Sequence, residues 1–355
     1  MLRYAALRVL IVLVIGAPCV RATAWADAVV GETRRIQLAP VPVPADDQLK
    51  AEYRQPETIP FPPDDLYTPE KAYLGRTLYY DTRLSGGGQL ACASCHNPGF
   101  GYGDGLAKSL GDGMKPLDRR SPTVMNAAWG VLFMWDGRAA SLEEQALMPI
   151  QAPREMHQSL GALVDKLSSI QGYRPLFQAA FPGHAITPGL VADAIATYER
   201  TVVSAIAPFD AWIDGDEAAI PEAAKRGFAL FNTKAQCALC HAGWRFTDDG
   251  FHDTGLPDND DGRGVLLPHV DKMQHAFKTP GLREIAQRGP YMHDGSLPTL
   301  EAVVAHYNEG GINRSSQSEL VEPLGLSPTE QADIVAFLRT LTSAVTPPAV
   351  PEMPR

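Results

Sequence analysis

Cys92-Ala-Ser-Cys95-His96 and Cys237-Ala-Leu-Cys240-His241 are the stretches that decide the architecture of this chain. Two thiols three positions apart, followed at once by histidine, form the attachment pattern of c-type haem. The thiols add to the porphyrin's vinyl groups and the adjacent imidazole reaches the iron. Other uses of such cysteines explain less. A single structural zinc would want all four thiols and would leave the repeated histidine idle. Disulfides need no histidine, and a thioredoxin-like redox motif belongs in a strand–helix context. The two copies predict two covalent c-type haems, anchored by Cys92, Cys95, Cys237 and Cys240, with His96 and His241 as iron ligands.

The duplication extends outward from the motifs. Upstream, Pro69-Glu70 is followed by Gly75, Leu78 and Tyr79, and Pro221-Glu222 by Gly227, Leu230 and Phe231 at the same offsets. Proline at a first turn, with apolar spacing behind it, predicts a helix that packs on each porphyrin. Downstream, Ser121-Pro122, Asp136-Gly137 and Ser141-Leu142-Glu143 recur 158 positions later as Thr279-Pro280, Asp294-Gly295 and Thr299-Leu300-Glu301. Ser141 and Thr299 stand where an N-cap belongs, each opening a helix along the far side of its haem.

The fold class that follows is mainly α: two tandem cytochrome c-like helical domains with long loops and little β. The domains are expected at residues 61–212 and 213–344, between an extended segment at 27–60 and a proline-rich, disordered tail at 345–355. The acidic, glycine-rich stretch from Asp248 to Gly264 reads as a long loop. At 355 residues and 45% hydrophobic the chain can bury two cores, and its 30 prolines and 31 glycines suit helical units joined by structured loops.

Residues 1–26 have the form of a secretory signal peptide. Arg3 and Arg8 precede an apolar run from Val9 to Val20, and Ala24-Trp25-Ala26 offers small residues for cleavage after Ala26. The run falls short of the roughly 20 apolar residues that span a bilayer, and Pro18 fits poorly before a lipidated Cys19. A periplasmic product without membrane insertion is expected. Cleavage removes three of the 31 bases and none of the 41 acids, leaving 28 against 41, a formal charge of −13. That balance argues against nucleic acid as a partner.

The haem motifs, Asn126, Trp135-Asp136-Gly137-Arg138, Glu155-Met156-His157 and Gly289-Pro290-Tyr291-Met292-His293-Asp294-Gly295 resemble the bacterial di-haem cytochrome c peroxidase/MauG family, from about Pro69 to Leu341. The resemblance implies that His96 holds a peroxidatic haem and His241 an electron-transfer haem. It further implies that Trp135 lies between the haems, that Glu155 is the distal acid, and that Asn126, Thr279 and the backbone near Gly281 hold a calcium ion. A distal carboxylate suits the chemistry. Peroxide must lose a proton from its inner oxygen and gain one on its outer oxygen, a transfer worth about 10²–10⁴-fold in rate. On residue type alone, Glu155 would be a solvated acid and Trp135 a core aromatic.

The sixth ligands separate subgroups of the family. Its typical members place a distal histidine shortly after the first haem motif; here Asp112 holds that position, and no histidine occurs between His96 and His157. The first haem is therefore expected to be open to peroxide, with His157 supporting the distal pocket. On the second haem the matching residue is Tyr307, with Met292 and Met273 as rivals and simple burial of the tyrosine as a further alternative. A tyrosine ligand resembles the MauG-like subgroup, and a phenolate lowers haem potential where a thioether raises it. One departure is Ala235, where MauG carries a surface tryptophan for drawing electrons from its substrate.

The expected function is a periplasmic oxidoreductase that activates hydrogen peroxide and oxidises a protein donor or protein substrate through high-valent haem iron. The rivals are a cytochrome c peroxidase fed by a small cytochrome or copper protein, and a non-enzymatic electron carrier.

Overall fold

Each haem motif follows a helix, and each half closes that helix on its last one through a glycine. The computed structural model describes residues 46–344 and 346–355. The expected signal peptide and the 27–60 segment as far as Ala45 lie outside the described residues. Helices α1 (Asp46–Glu52) and α2 (Pro69–Tyr80) come first, α2 opening at Thr68, whose Oγ1 accepts the Lys71 N–H. The first haem motif forms the short α3 (Cys92–Cys95), followed by α4 (Leu142–Gln151), α5 (Leu160–Ser169), α6 (Tyr173–Ala180) and α7 (Pro188–Arg200). Then come α8 (Pro208–Ile213), α9 (Glu222–Asn232), a single 3-10 turn at Cys237–Leu239, α10 (Leu300–Glu309) and α11 (Pro328–Arg339). The sheet among the described residues is one two-residue pair, Phe251–His252 antiparallel to Phe277–Lys278. The fold is mainly helical, as expected.

Gly75 lets α2 cross α7: a Cβ there would sit 1.8 Å from the Ala194 carbonyl oxygen. Its counterpart Gly227 lets α9 cross α11, where a Cβ would meet the Asp333 oxygen at 1.9 Å. Only glycine permits such an approach. Around these crossings the first half packs an aliphatic core of Leu74, Leu78, Ile150, Leu163 and Ile195. The second packs aromatics, Phe209, Phe228, Phe231, Phe246 and Phe337, largely edge to face.

Duplication is also written in the backbone. Left-handed conformations recur 158 positions apart at Asn126 and Glu284, Met134 and Met292, and Gly137 and Gly295. Non-glycine residues seldom adopt this region, so the two halves keep one chain path rather than merely similar residues. Ser141 and Thr299 cap α4 and α10 as expected, Ser141 Oγ accepting the Glu144 N–H and Thr299 Oγ1 the Ala302 N–H.

Two expectations about the ends of the chain need correction, and the border between the halves shows how they interlock. The expected border at 212/213 falls at the end of α8, whose Phe209 and Trp212 are buried in the second core against Phe228. The 27–60 segment is not extended throughout: α1 is helical, and Tyr53 stacks on Phe246 at 4.8 Å, also in the second core. The C-terminal tail is docked rather than disordered. The Pro354 carbonyl accepts from Arg83 at 2.9 Å, and the Arg355 carbonyl accepts the Gly172 N–H at 2.8 Å. Each end of the described chain therefore packs on the half more distant in sequence.

Candidate functional site: a cavity shared by the two haem motifs

One cavity of about 1220 Å³ is lined by Cys92, Cys95 and His96 from the first half and by Cys237, Cys240 and His241 from the second. No disulfide joins these four cysteines. The Nδ1 of His96 lies 2.8 Å from the Pro122 carbonyl oxygen, and that of His241 2.8 Å from the Phe246 carbonyl oxygen. An N–H donated there fixes the tautomer and leaves Nε2 free for a metal. Burial holds both imidazoles below their usual range, in the neutral form that ligates. Helix α4 lines the cavity through Leu142, Ala146 and Pro149, and α10 through Leu300, Val304 and Tyr307.

The polar groups of the cavity fit haem. Arg120 and Arg288 line it at 8% and 5% exposure, and the Nε atom of each is buried without a partner. Their bonds run to carbonyls: Arg120 Nη2 donates to Arg288 O at 2.8 Å, and Arg288 donates to Gly281 O. Burial, and then the neighbouring Arg120 charge, push Arg288 down to about 10. Two adjacent buried cations held only by carbonyls call for an anion in the cavity, and porphyrin propionates are such anions. The sequence reading missed both arginines. A signal was present: Arg120 and Lys278 are basic residues directly before the duplicated Ser/Thr-Pro.

The seam between the halves is reciprocal. The Arg120 N–H donates to the His293 carbonyl at 2.9 Å, and its counterpart Lys278 donates to the Trp135 carbonyl at 2.8 Å. Trp135 and His293 are themselves counterparts, and their rings meet edge to face with centroids 6.4 Å apart. The indole N–H of Trp135 donates to Arg120 O at 2.9 Å. Trp135 thus sits at the join of the two halves, on the cavity wall.

Glu155 lines the cavity on the turn after α4. Burial raises its carboxyl above the usual range, with Arg138 and Arg154 pulling it back. It lies near enough to Cys95 for its charge to push that thiol upward. His157 corrects an expectation. It is absent from the cavity lining; its side chain is 61% exposed and pairs with Asp112 at 3.3 Å. A left-handed φ of 49° at His157 accompanies this outward placement. Asp112 likewise stays outside the cavity.

Tyr307 and Met292 line the cavity and Met273 does not. Burial pushes the Tyr307 phenol well above its usual range, and the Cys240 and Cys237 sulfurs add to the effect. Such a phenol ionises only beside a cation, which ferric iron would be. The position equivalent to Tyr307 in the first half, 158 residues earlier, is Pro149, also on the cavity wall. Ala235 is buried and lines the cavity too. Asn126, Thr279 and Gly281 share the lining. Their oxygens already accept hydrogen bonds: Asn126 Oδ1 from the Ser204 N–H at 2.9 Å, Thr279 O from Thr247 at 2.6 Å, Gly281 O from Arg288. Cys240, Asp248 and His252 also converge within 4.8 Å, but thioether formation at Cys240 removes the thiolate a further metal would need.

Two CxxCH motifs opening on one cavity, in two helical halves, define a di-haem c-type cytochrome. Residues 69–218 match the di-haem cytochrome c peroxidase family and residues 224–342 the cytochrome c family. The chain is 52% identical over 309 residues to the methylamine utilization protein MauG of Methylorubrum extorquens, covering 86% of this chain and 88% of that one. It is 48% identical to the MauG of Methylophilus methylotrophus, covering 86% and 92%. Among solved structures, a MauG-like protein associated with microbial copper homeostasis superposes with a TM-score of 0.76 at 33% identity, covering 82% of this chain and 95% of that one. The chain belongs to the di-haem cytochrome c peroxidase family, in its MauG-like subgroup.

Proposed function

We propose that this chain is a periplasmic di-haem peroxidase that reduces hydrogen peroxide at the His96 side of the cavity and draws the electrons from a protein donor or protein substrate. The observation that carries the reading is the asymmetry of the two distal helices. Tyr307 on α10 offers an oxygen donor to the cavity, whereas Pro149 at the equivalent place on α4 offers none, and Asp112 and His157 lie outside. One side is built to be closed by a ligand and the other to admit a small molecule.

When bound, the two haems supply iron that takes up peroxide and stores its oxidising equivalents. The protein's own part is proton and electron management. The Glu155 carboxylate takes the proton from peroxide's inner oxygen and returns it to the outer one. Its desolvation raises its basicity for that task. Trp135, at the reciprocal seam, is the oxidisable aromatic between the two sites. The Tyr307 oxygen holds the second site low in potential. Arg120 and Arg288 hold propionates. Calcium belongs to the same reading, with Asn126 Oδ1 and the Thr279 and Gly281 carbonyls as the oxygens that would hold it; three neutral oxygens without a carboxylate, one of them already facing both the N–H and the hydroxyl of Ser204, make that site a weak one.

The two MauG relatives are methylamine utilization proteins, and oxidation of a protein serving that process is the substrate-side proposal. Among the described residues no helix is long and apolar enough to cross a membrane. Export by the 1–26 signal predicts a mature N-terminus at Asp27. The functional test is electron paramagnetic resonance of the fully ferric holoprotein with one equivalent of peroxide and no reductant. Both ferric signals should fall together. If the ferric protein ignores peroxide until one haem is reduced, the chain is a conventional cytochrome c peroxidase.

A further inference from the structure

Tyrosines crowd one side of the His96 site, and they touch. Tyr79 is fully buried, and its hydroxyl donates to the His96 carbonyl oxygen at 2.7 Å. The Tyr102 carbonyl lies 3.4 Å from Nδ1 of the same histidine. From Tyr79 the rings continue outward: its centroid is 5.1 Å from that of Tyr198 and 5.5 Å from that of Tyr80, both edge-on. Tyr102 joins Tyr79 and Tyr198 in one buried cluster, with Tyr80 and the haem-anchoring Cys92 packed against it. The cluster reaches a surface depression of about 400 Å³ lined by Tyr67, Tyr73, Tyr102 and Tyr198. Tyr67 and Tyr73 are 47% and 50% exposed.

Packing alone does not ask for hydroxyls. The counterpart of Tyr79 in the second half is Phe231, which fills the same place with its ring centroid 6.4 Å from that of His241. The hydroxyls of Tyr80 and Tyr198 are buried with no well-formed hydrogen bond, and Tyr198 lies close enough to Tyr80 and Tyr102 for the three phenols to shift one another's titration, a grouping that phenylalanine would pack without the polar cost. What phenol adds to phenylalanine is an accessible one-electron oxidation.

We propose that Tyr79, Tyr80, Tyr102 and Tyr198 form a conduit that carries electrons from the depression at Tyr67 and Tyr73 to the His96 haem site, so that oxidising equivalents leave by a route separate from Trp135. The inference rests on the peroxidase reading above. Two phenols balance one peroxide: each gives up one electron and its hydroxyl proton, the O–O bond breaks, and two waters and two neutral phenoxyl radicals result. The Tyr102 proton passes to water in the depression and the buried Tyr198 proton follows by way of the neighbouring Tyr102 phenol, and an equal number is taken up at the peroxide site. A one-electron reductant at the depression, of the phenol or ascorbate class, restores each phenol by returning an electron with a proton. Tyr79 faces a carbonyl oxygen, which is no base, and so serves as the bridge rather than the resting place of the radical.

The test uses ferric holoprotein given one equivalent of peroxide without donor and frozen at successive times for electron paramagnetic resonance, the radical growing in as the two ferric signals that fell first return. Wild-type protein should show a protein radical whose signal narrows when tyrosine is ring-deuterated. Y80F/Y102F/Y198F should lose that signal, and its haem absorbance should bleach after several-fold fewer peroxide equivalents. If the triple variant does not fold, Y198F alone must still diminish the signal. A radical that deuterated tyrosine leaves unchanged, or one of equal size in the variants, overturns the conduit. Peroxide consumption is measured in parallel: wild-type protein that consumes peroxide without a tyrosyl signal overturns the conduit alone, and protein that consumes none overturns the peroxidase reading with it.

Discussion

Glu155→Gln isolates proton transfer from everything else in the cavity. The amide keeps the shape of the carboxylate, and among the described residues the Glu155 side chain makes no protein hydrogen bond that the change would break. Stability should therefore move by no more than about 0.5 kcal/mol. The rate should not be spared. General acid–base assistance is worth about 10²–10⁴-fold, and the buried, raised carboxyl of Glu155 favours the middle of that range, roughly 10³-fold, or about 4 kcal/mol of barrier. Stopped-flow absorbance of ferric holoprotein mixed with excess peroxide reads the rate directly, with haem content and melting temperature as controls. The pH dependence supplies a second reading. As pH falls through the raised value the carboxylate is protonated and the wild-type rate drops; in the glutamine variant that acid limb disappears. Stability runs the other way, because an acid raised by folding contributes fully below its unfolded value of 4.5 and loses that contribution as pH rises through its folded value. A Glu155→Gln protein with intact haems and the wild-type peroxide rate would refute the assignment.

Three other outcomes are expected. Gly75→Ala drives a methyl to 1.8 Å from the Ala194 carbonyl, so α2 and α7 must part at a cost of about 1–3 kcal/mol, read as a melting point several degrees lower; an unchanged melting point would mean the crossing yields freely. Tyr307→Met should raise the midpoint potential of one haem in spectroelectrochemical titration and leave the other in place, whereas two unmoved potentials would remove Tyr307 from the ligand set. Glu199, buried on the cavity wall, is raised from 4.5 to about 8, chiefly by desolvation. Wild-type stability should therefore decline as pH rises between those values, and Glu199→Gln should flatten the decline in urea titrations; parallel curves would place the acid's titration elsewhere.

Much of this site was legible because its signals are local. The CxxCH spacing, the caps at Ser141 and Thr299, and the 158-residue repeat need only neighbours in the chain. What escaped depends on distant partners or on backbone sign. Helix α8 looks like the end of the first half until Phe209 meets Phe337, far along the chain. The tail binds through main-chain carbonyls at Pro354 and Arg355, which composition does not reveal. His157 stands two residues from Glu155, yet a positive φ accompanies its placement in solvent. Arg120 and Arg288 would pass for surface charges; only burial without an acid bonded to them marks them as partners for an anion.

A duplicated fold makes differences between the copies more telling than likenesses. The likenesses build the container: Gly75 and Gly227 at the helix crossings, Ser141 and Thr299 at the caps, Arg120 and Lys278 across the seam. Had the halves stayed equivalent, two identical sites would face each other with nothing to set the direction of electron flow. The departures fall where such a direction would be set. Pro149 stands against Tyr307, leaving one distal wall without a donor; Trp135 stands against His293, putting the oxidisable ring on one side of the join; Tyr79 stands against Phe231, placing a phenol beside His96 alone. Each exchange falls at a corresponding place in the two halves and changes what the side chain can donate, ligate or lose. Packing alone has no need of that pattern, whereas the proposed function, with one open and one closed iron site joined through the seam, would use each departure.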